Sequence, residues 1–459
     1  VPCSSGSCGR AAAVTGDWEA AWTGGRRAVH VGNVAEYQAR FTEPDAVSVR
    51  GGHSYADLAM FYSPHPEVVV LPGPLDSSWV ELQRRALHWE PVEVHSGVSS
   101  GPGLTGAVLD RPGLVQRLTR ADGPVLAWGH TTGVDRLLSA TGRGPRIGAT
   151  ALEAGRRWES KAASNELFGE LADDGILVPR QQRFDSLGEA AAVAARSAGD
   201  GVSVVLKAVH GVGGSGTLVV TPELVADWGG VRAFRRRMRR SRVAGEVVVE
   251  QFVAATGPWR DVTVDGVVAA DGGVHLVGVG AMDVDGTRYS GVLIGPDVLP
   301  APLGQVAARF GLRVGEALAA SGYRGWFDVD FVSAPAGRLA PTEINCRVTG
   351  PAIAFCLQAR LNRLHGAPWL VRTCDRLRLG ARLPEDLLYD HVRALTRACA
   401  ELGAVLVPTI PSAGFAEDPT LGVALAARDR ETLRLAENLV VSSSADLGRM
   451  FGTTGYPAG

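Results

Sequence analysis

The feature that most constrains this chain is the stretch VSVVLKAVHGVGGSGTLVV at residues 202–220. Gly211, Gly213 and Gly216 give a literal G-x-G-x-x-G, but that fingerprint marks a dinucleotide site only where the loop opens a helix. Here the β-branched run TLVV follows and continues as a strand. A Walker A loop is excluded because no Gly-Lys-Ser/Thr occurs in the chain, and a protein-kinase loop because neither HRD nor DFG does. What is left is a glycine-rich loop joining two strands of a hairpin, with Lys207 on the strand that enters it. Backbone amides of Gly213, Gly214, Ser215 and Gly216, free of bulky side chains, can approach phosphate oxygens, with the Lys207 ammonium as a point charge beside them. A flexible surface hairpin is the alternative.

Composition sharpens this reading at one place. Of 46 basic residues only Lys161 and Lys207 are lysine; the other 44 are arginine. A chain that uses arginine wherever any positive charge will serve retains lysine where a compact, rotatable ammonium is needed instead of a planar fork.

A second constellation is WFDVDFVSAPAGRLAPTEINCR at 326–347. Strand alternation puts Asp328 and Asp330 on one face, and Glu343, Asn345 and Arg347 on one face of the next strand. If the chain turns at Ala336 and Gly337, Asp330 falls opposite Glu343 and Asp328 opposite Asn345. Two carboxylates facing each other across a sheet repel unless a cation lies between them. Magnesium suits such a place, since it takes hard oxygen ligands, a few from protein and the rest from water and nucleotide phosphates. Arg347 on that face could hold a transferring phosphoryl group or a developing oxyanion. A solvated acidic face is the alternative.

The rest of the chain reads as mixed α/β. Apolar segments at 26–33, 45–52, 67–74, 86–97 and 124–133 suggest an open α/β sheet. A helical stretch at 152–175 is stopped by Gly175 and Pro179, and Ser186 with Glu189 forms a capping box for the next helix. From 202 to 280 closely spaced apolar runs suggest largely antiparallel strands, followed by helices at about 302–321 and 384–402. The arginine run RAFRRRMRRSR at 232–242 reads as a solvated helix face, or else as an anion site. No base-stacking aromatic motif accompanies it, and the net charge of -2 gives no argument for nucleic acid or an anionic membrane as partner. No apolar run reaches the ~18 residues of a membrane span. The six cysteines show no CxxC pairing, and reduced thiols in a cytoplasmic protein are expected.

In that order, Lys161 in ESKAASNELF, Lys207 before the glycine loop, the strand VVVEQFV, and the FDVDF and EINCR pair resemble the ATP-grasp superfamily over about residues 150–350. The resemblance implies that Lys161 and Lys207 contact ATP phosphates, that Glu250, Gln251 and Val253 form the adenine hinge, and that Asp261 meets the ribose. It further implies that Asp330, Glu343 and Asn345 bind magnesium ions, with Arg347 facing the reacting phosphoryl group. Asp328 stands where D-alanine ligases carry an arginine, so the oxyanion role would pass to another residue, Arg288 in GTRYSG being the candidate. The segments VVVLPGPLD and PVLAWGHTTG and the small mixed tail are similar to the peptide ligases of the pheganomycin-biosynthesis type.

Three units are expected: an N-terminal Rossmann-like pre-ATP-grasp α/β domain at 1–135, an ATP-grasp domain at 136–375 with a lid at roughly 185–255, and a small C-terminal α/β domain at 376–459. The function implied is an ATP- and magnesium-dependent carboxylate-amine ligase working through an acyl phosphate. It would join a nonproteinogenic amino acid to the N-terminus of a peptide in natural-product biosynthesis. Its rivals are a primary-metabolism ligase of the D-alanine or biotin-carboxylase type, and a nucleotide-binding regulatory module without turnover.

Overall fold

The computed structural model describes residues 17–144, 147–211, 216–240 and 245–452. Gly213, Gly214 and Ser215 of the glycine loop lie outside them. Among the described residues the strands form three sheets. The first is parallel, in the order β3-β2-β1-β4, from β1 (Ala28–Val31), β2 (Pro66–Val70), β3 (Glu93–His95) and β4 (Val125–Ala127). Its Val-rich strands are buried, as a sheet covered on both faces requires.

Two sequence readings in this region are corrected. DAVSVRGG at 45–52 is not a strand but the start of the helix Ala46–Tyr55, because the Asp45 carboxylate accepts the Ser48 amide and caps it. Local β propensity yielded to this cap, while most of the segment, Val47 included, stays exposed and only Gly52 closes against Ala35. The segment at 86–97 supplies only the short strand β3, its first residues closing the helix Ser77–Ala86.

The second sheet comprises β5 (Gln181–Phe184), β6 (Val204–Ala208), β7 (Thr217–Val220) and β8 (Val247–Gln251), in the antiparallel order β5-β8-β6-β7. It has its own apolar core, where alanines of the helix Leu187–Gly199, capped by Ser186 as expected, pack on Leu206, Val220 and Val249 with Phe234 and Met238. Phe234 and Met238 are the buried face of the helix Gly230–Met238; Arg232, Arg236 and Arg237 are exposed, the last with its guanidinium 4.2 Å from the Trp228 ring centre. β6 and β7 form the hairpin read from the glycine loop, with Lys207 opposite Thr217. At the described end of that loop Gly216 has φ +79°, and a Cβ there would stand 2.8 Å from that of Ala208.

The third sheet has eight strands: β9 (Asp261–Val268), β10 (Val274–Asp285), β11 (Arg288–Ile294), β12 (Gly325–Ser333), β13 (Leu339–Asn345), β14 (Leu370–Arg378), β15 (Val405–Ile410) and β16 (Thr420–Ala427). Its order is β13-β12-β9-β10-β11-β14-β16-β15. The helix Ala301–Ala320 packs Ala307, Phe310, Val314 and Leu318 into a core shared with Val262, Val264 and Phe327. A second core joins the helix Gly350–His365 to Val267, Val277, Trp326 and residues of the N-terminal sheet. The boundary expected near 375 falls inside β14, so the tail is continuous with the central sheet.

The helical stretch read at 152–175 is two helices, Gly148–Trp158 and Lys161–Leu171. The Ser160 hydroxyl caps the second by accepting the Ala163 amide, which breaks the run and sets Lys161 at a helix start. No helix of the described residues is long and apolar enough to cross a membrane.

Candidate active site

A cavity of about 1700 Å³ lies where the second sheet, the central sheet and the N-terminal region meet. Lys161, Lys207, Glu250, Gln251 and Val253 line it, as do Asp261, Arg288, Asp330, Glu343, Asn345 and Arg347. Gly216, the remaining described candidate, is not on its wall.

The two lysines reach this cavity from different elements and are both buried. Lys161 Nζ stands 3.0 Å from Glu343 Oε2 and donates to Gly211 O at 3.4 Å. Lys207, on β6, puts Nζ 2.7 Å from Glu250 Oε1 and donates to Thr342 O of β13 at 3.3 Å, tying the second sheet to the central one. Gln181 Nε2 donates to the other Glu250 oxygen at 2.5 Å. The Glu250 side chain is thus occupied, and Gln251, Phe252 and Val253 follow it along the cavity wall.

β12 and β13 pair with Asp328 opposite Asn345 and Asp330 opposite Glu343, the register read from the alternation. Ala336 and Gly337, both at positive φ, turn the chain between them. On its other side β12 pairs with β9, bringing Asp265 beside Asp328 and Thr263 beside Asp330. Three acidic side chains are thereby crowded on one buried patch. Burial, with Asp328, Glu343 and Asp265 adding to it, holds the Asp330 carboxyl well above its usual range. Asp328 is pushed up to about 6, mainly by burial, with Thr349, Arg347 and Asn345 pulling it down. Asp265 is raised by burial and by Asp328, although it accepts the Trp326 indole N–H at 2.8 Å. Glu343 goes the other way: burial works against its charge, but Lys161, Lys207 and Arg347 outweigh it and lower the pKa.

A divalent cation fits this chemistry. Asp330 Oδ1 is buried with no hydrogen-bond partner among the described residues, and the opposed Glu343 supplies a second hard oxygen. Asn345 is less free. Its amide nitrogen donates to Asp328 Oδ1 at 2.7 Å, and its carbonyl oxygen accepts from Arg347 at 2.6 Å. The described residues hold no group of three or more His, Cys, Asp or Glu able to bind a metal by themselves. The two opposed carboxylates would leave most positions to water and phosphate, as magnesium prefers.

Arg347 is buried, with Nε 3.4 Å from Glu159 Oε1 and its guanidinium 5.5 Å from the Trp128 ring centre. Glu159 Oε1 also accepts the Cys346 amide at 3.0 Å, fixing the chain beside Arg347. Arg288 lies on the exposed rim at the start of β11. Asp261 pairs with its neighbour Arg260 at 2.5 Å, yet its pKa is raised because burial outweighs that contact.

Sequence reasoning missed Glu159, Asp265, Trp128, Tyr55 and Asp375. For Asp265 a signal existed, since alternation in DVTVDGVV puts Asp261, Thr263 and Asp265 on one face. Glu159 directly precedes the cap of the helix bearing Lys161, but nothing local marks it as a partner of Arg347.

These features define the ATP-grasp fold, in which a small antiparallel sheet and a larger one enclose a cleft. Among solved structures, the chain is similar to carboxyaminoimidazole ribonucleotide synthase from Aspergillus clavatus complexed with ATP, at 13% identity, 93% coverage of this chain, 99% of that one, and a TM-score of 0.52. It is also similar to the biotin carboxylase ATP-analogue complex from Campylobacter jejuni, at 13% identity, 94% and 97% coverage, and a TM-score of 0.53. At such identities the likeness concerns the fold. In sequence the chain is 27% identical over 296 residues to the L-propargylglycine--L-glutamate ligase of Streptantibioticus cattleyicolor, a match covering 59% of this chain. It spans 58% of that relative's length. No protein-family model matches the chain.

Proposed function

We propose that this protein is an ATP-dependent carboxylate-amine ligase that forms an amide or peptide bond through an acyl phosphate. The observation that carries the reading is the convergence, in one cavity, of two buried lysines, an opposed carboxylate pair with an orphaned oxygen, and a buried arginine. The ligase name of its sequence relative and the ATP bound in a fold neighbour support it.

In this reading Lys161 and Lys207 exchange their present partners, Glu343 and Glu250, for phosphate oxygens of ATP. The backbone of Gln251 to Val253 meets the adenine and Asp261 the ribose. Asp330 and Glu343, with Asn345 beside them, would hold magnesium, which would supply charge compensation for the phosphates. A carboxylate substrate then attacks the γ-phosphorus in line, and an amine displaces phosphate from the acyl phosphate. Arg347, kept in place by Glu159 and Asn345, stabilises the charge on the transferring group and the oxyanion that follows, and rim-exposed Arg288 adds charge. Positioning of the reactants in the cleft carries most of the rate.

The finer reading is an amino-acid-to-peptide ligation of the pheganomycin type in natural-product biosynthesis. Chromatography of nucleotides after incubation with ATP, magnesium and candidate amino acids, with and without a peptide amine, tests the reaction. ADP and phosphate are expected, together with a hydroxamate when hydroxylamine replaces the amine. Stoichiometric AMP and pyrophosphate would overturn the mechanism. A primary-metabolism carboxylase is compatible with the same fold; bicarbonate-dependent ADP formation in the absence of amino acids would favour it.

A further inference from the structure

The cavity is larger than the ~300–1000 Å³ of an ordinary small-molecule site, leaving room beside a nucleotide. Its wall contains a side chain the mechanism above does not use. Asp375 lies on β14 where the pairing with β16 shifts between Cys374 and Leu377, a bulge of the kind that re-aims side chains beside active sites. Asp375 is only 6% exposed, yet it lines the cavity. Its Oδ2 accepts the Tyr55 hydroxyl at 2.6 Å, and no ion pair to it occurs among the described residues. The adjacent Arg376 turns instead to Asp418, at 3.4 Å.

A buried carboxylate without a cation is costly unless a ligand supplies one. Burial indeed pushes Asp375 up to about 6, the Tyr55 hydrogen bond only partly opposing it. The described residues offer no metal-binding group of three or more acidic, His or Cys side chains, so an organic cation is the fitting occupant. Tyr55 stands edge-on to Trp128, 5.5 Å between ring centres, and the Arg347 guanidinium lies 5.5 Å from the same ring system. Tyr55, which holds Asp375, and Arg347 therefore flank one indole, and all four side chains line the same cavity, an arrangement that can take a small substrate bearing both an amine and an acid.

We propose that Asp375, oriented by Tyr55, binds the primary ammonium group of an amino-acid substrate. This rests on the ligase reading. The ammonium could belong to the acid being activated or to the attacking amine, and the two sources separate by experiment. Wild type, Asp375→Asn and Tyr55→Phe are assayed for hydroxamate formation with proteinogenic L-amino acids and their desamino analogues, using hydroxylamine as the amine. If the activated acid is the source, Asp375→Asn lowers kcat/KM for amino acids by about 100-fold or more and leaves desamino acids unchanged. Tyr55→Phe gives a smaller loss in the same direction. If the attacking amine is the source, hydroxamate formation is unaffected and KM for a peptide amine rises instead. Equal losses for amine-bearing and desamino acids, or no change in either arm, would overturn the proposal. Calorimetric titration of the same amino acids, with a non-hydrolysable ATP analogue and magnesium present, separates this failure from that of the ligase reading. If no carboxylate yields ADP but amino-acid binding is lost in Asp375→Asn, the ammonium site stands and the reaction assignment falls. If neither an amino acid nor the peptide amine, titrated in the same way, binds wild type, the ammonium site falls.

Discussion

Lys207 offers the strongest test of the nucleotide site, because stability and activity give opposite signatures there. Its ammonium is 2.7 Å from Glu250, and the two side chains are 7% and 4% exposed. Removing one member of such a buried pair costs about 3–5 kcal/mol, since the other charge is left uncompensated. Gln181 still donates to Glu250, and the cavity admits water, so Lys207→Met is expected at the low end, about 3 kcal/mol. The double variant Lys207→Met with Glu250→Gln removes the stranded charge and should recover most of that loss, giving a coupling energy of about 2 kcal/mol. Amide hydrogen exchange in β6 and β8 reads this locally, without assuming that the whole chain unfolds in one step. The double variant should nevertheless stay inactive, because no ammonium is left for the phosphates. Lys207→Arg keeps the charge but not the compact geometry, and should slow ATP consumption at least about tenfold, or ~1.4 kcal/mol in the barrier. Wild-type exchange in Lys207→Met, or no recovery in the double variant, would refute the ion-pair argument. A Lys207→Arg rate within about twofold of wild type would refute the phosphate role.

Glu343→Gln should raise the magnesium concentration giving half-maximal activity by at least about tenfold while the fold persists; an unchanged titration would place the metal elsewhere. Asp375→Asn should be more stable than wild type at pH 8 by up to about 3 kcal/mol, an advantage that vanishes near pH 4. The sign follows from the raised pKa: between its ordinary 3.8 and about 6 the folded state binds more protons than the unfolded, so wild-type stability falls as pH rises through that window. Tyr55, Tyr289 and Cys374 face this carboxylate and titrate far above the window. Denaturant melts of both proteins across pH decide it, and a pH-independent difference would count against a strained Asp375. Gly350→Ala would bring a Cβ within 2.2 Å of the Tyr289 ring, so a loss of about 1–3 kcal/mol with displacement of that ring into the cavity is expected, checked by melting and by ATP turnover. Wild-type values in both would show that the ring moves freely.

How much of this the sequence determined depends on the range over which each interaction acts. The opposition of Asp330 to Glu343 was legible because strand alternation has a period of two and Ala336 and Gly337 mark the reversal, although it is a one-residue shift of the ladder between Asp330 and Phe331 that completes it. The hairpin that carries Lys207 was legible for the same reason, and the Ser186 cap because it is closed by a residue three positions away. Scarcity of lysine singled out Lys161 and Lys207 on chemical grounds alone, and both line the cavity. The tertiary structure decided the rest. DAVSVRGG has strand composition, yet it is helical, with Asp45 as its cap and Gly52 closing against Ala35. The carboxylate that holds Arg347 comes from Glu159, across a separation of 187 residues from Cys346, whose amide it also binds. Tyr55 and Asp375 meet across 320 residues. Such pairs follow no period, because what brings them together is burial of the apolar faces of their elements. The cost of leaving a charge alone in that interior then dictates which polar partner, or which ligand, must be found there.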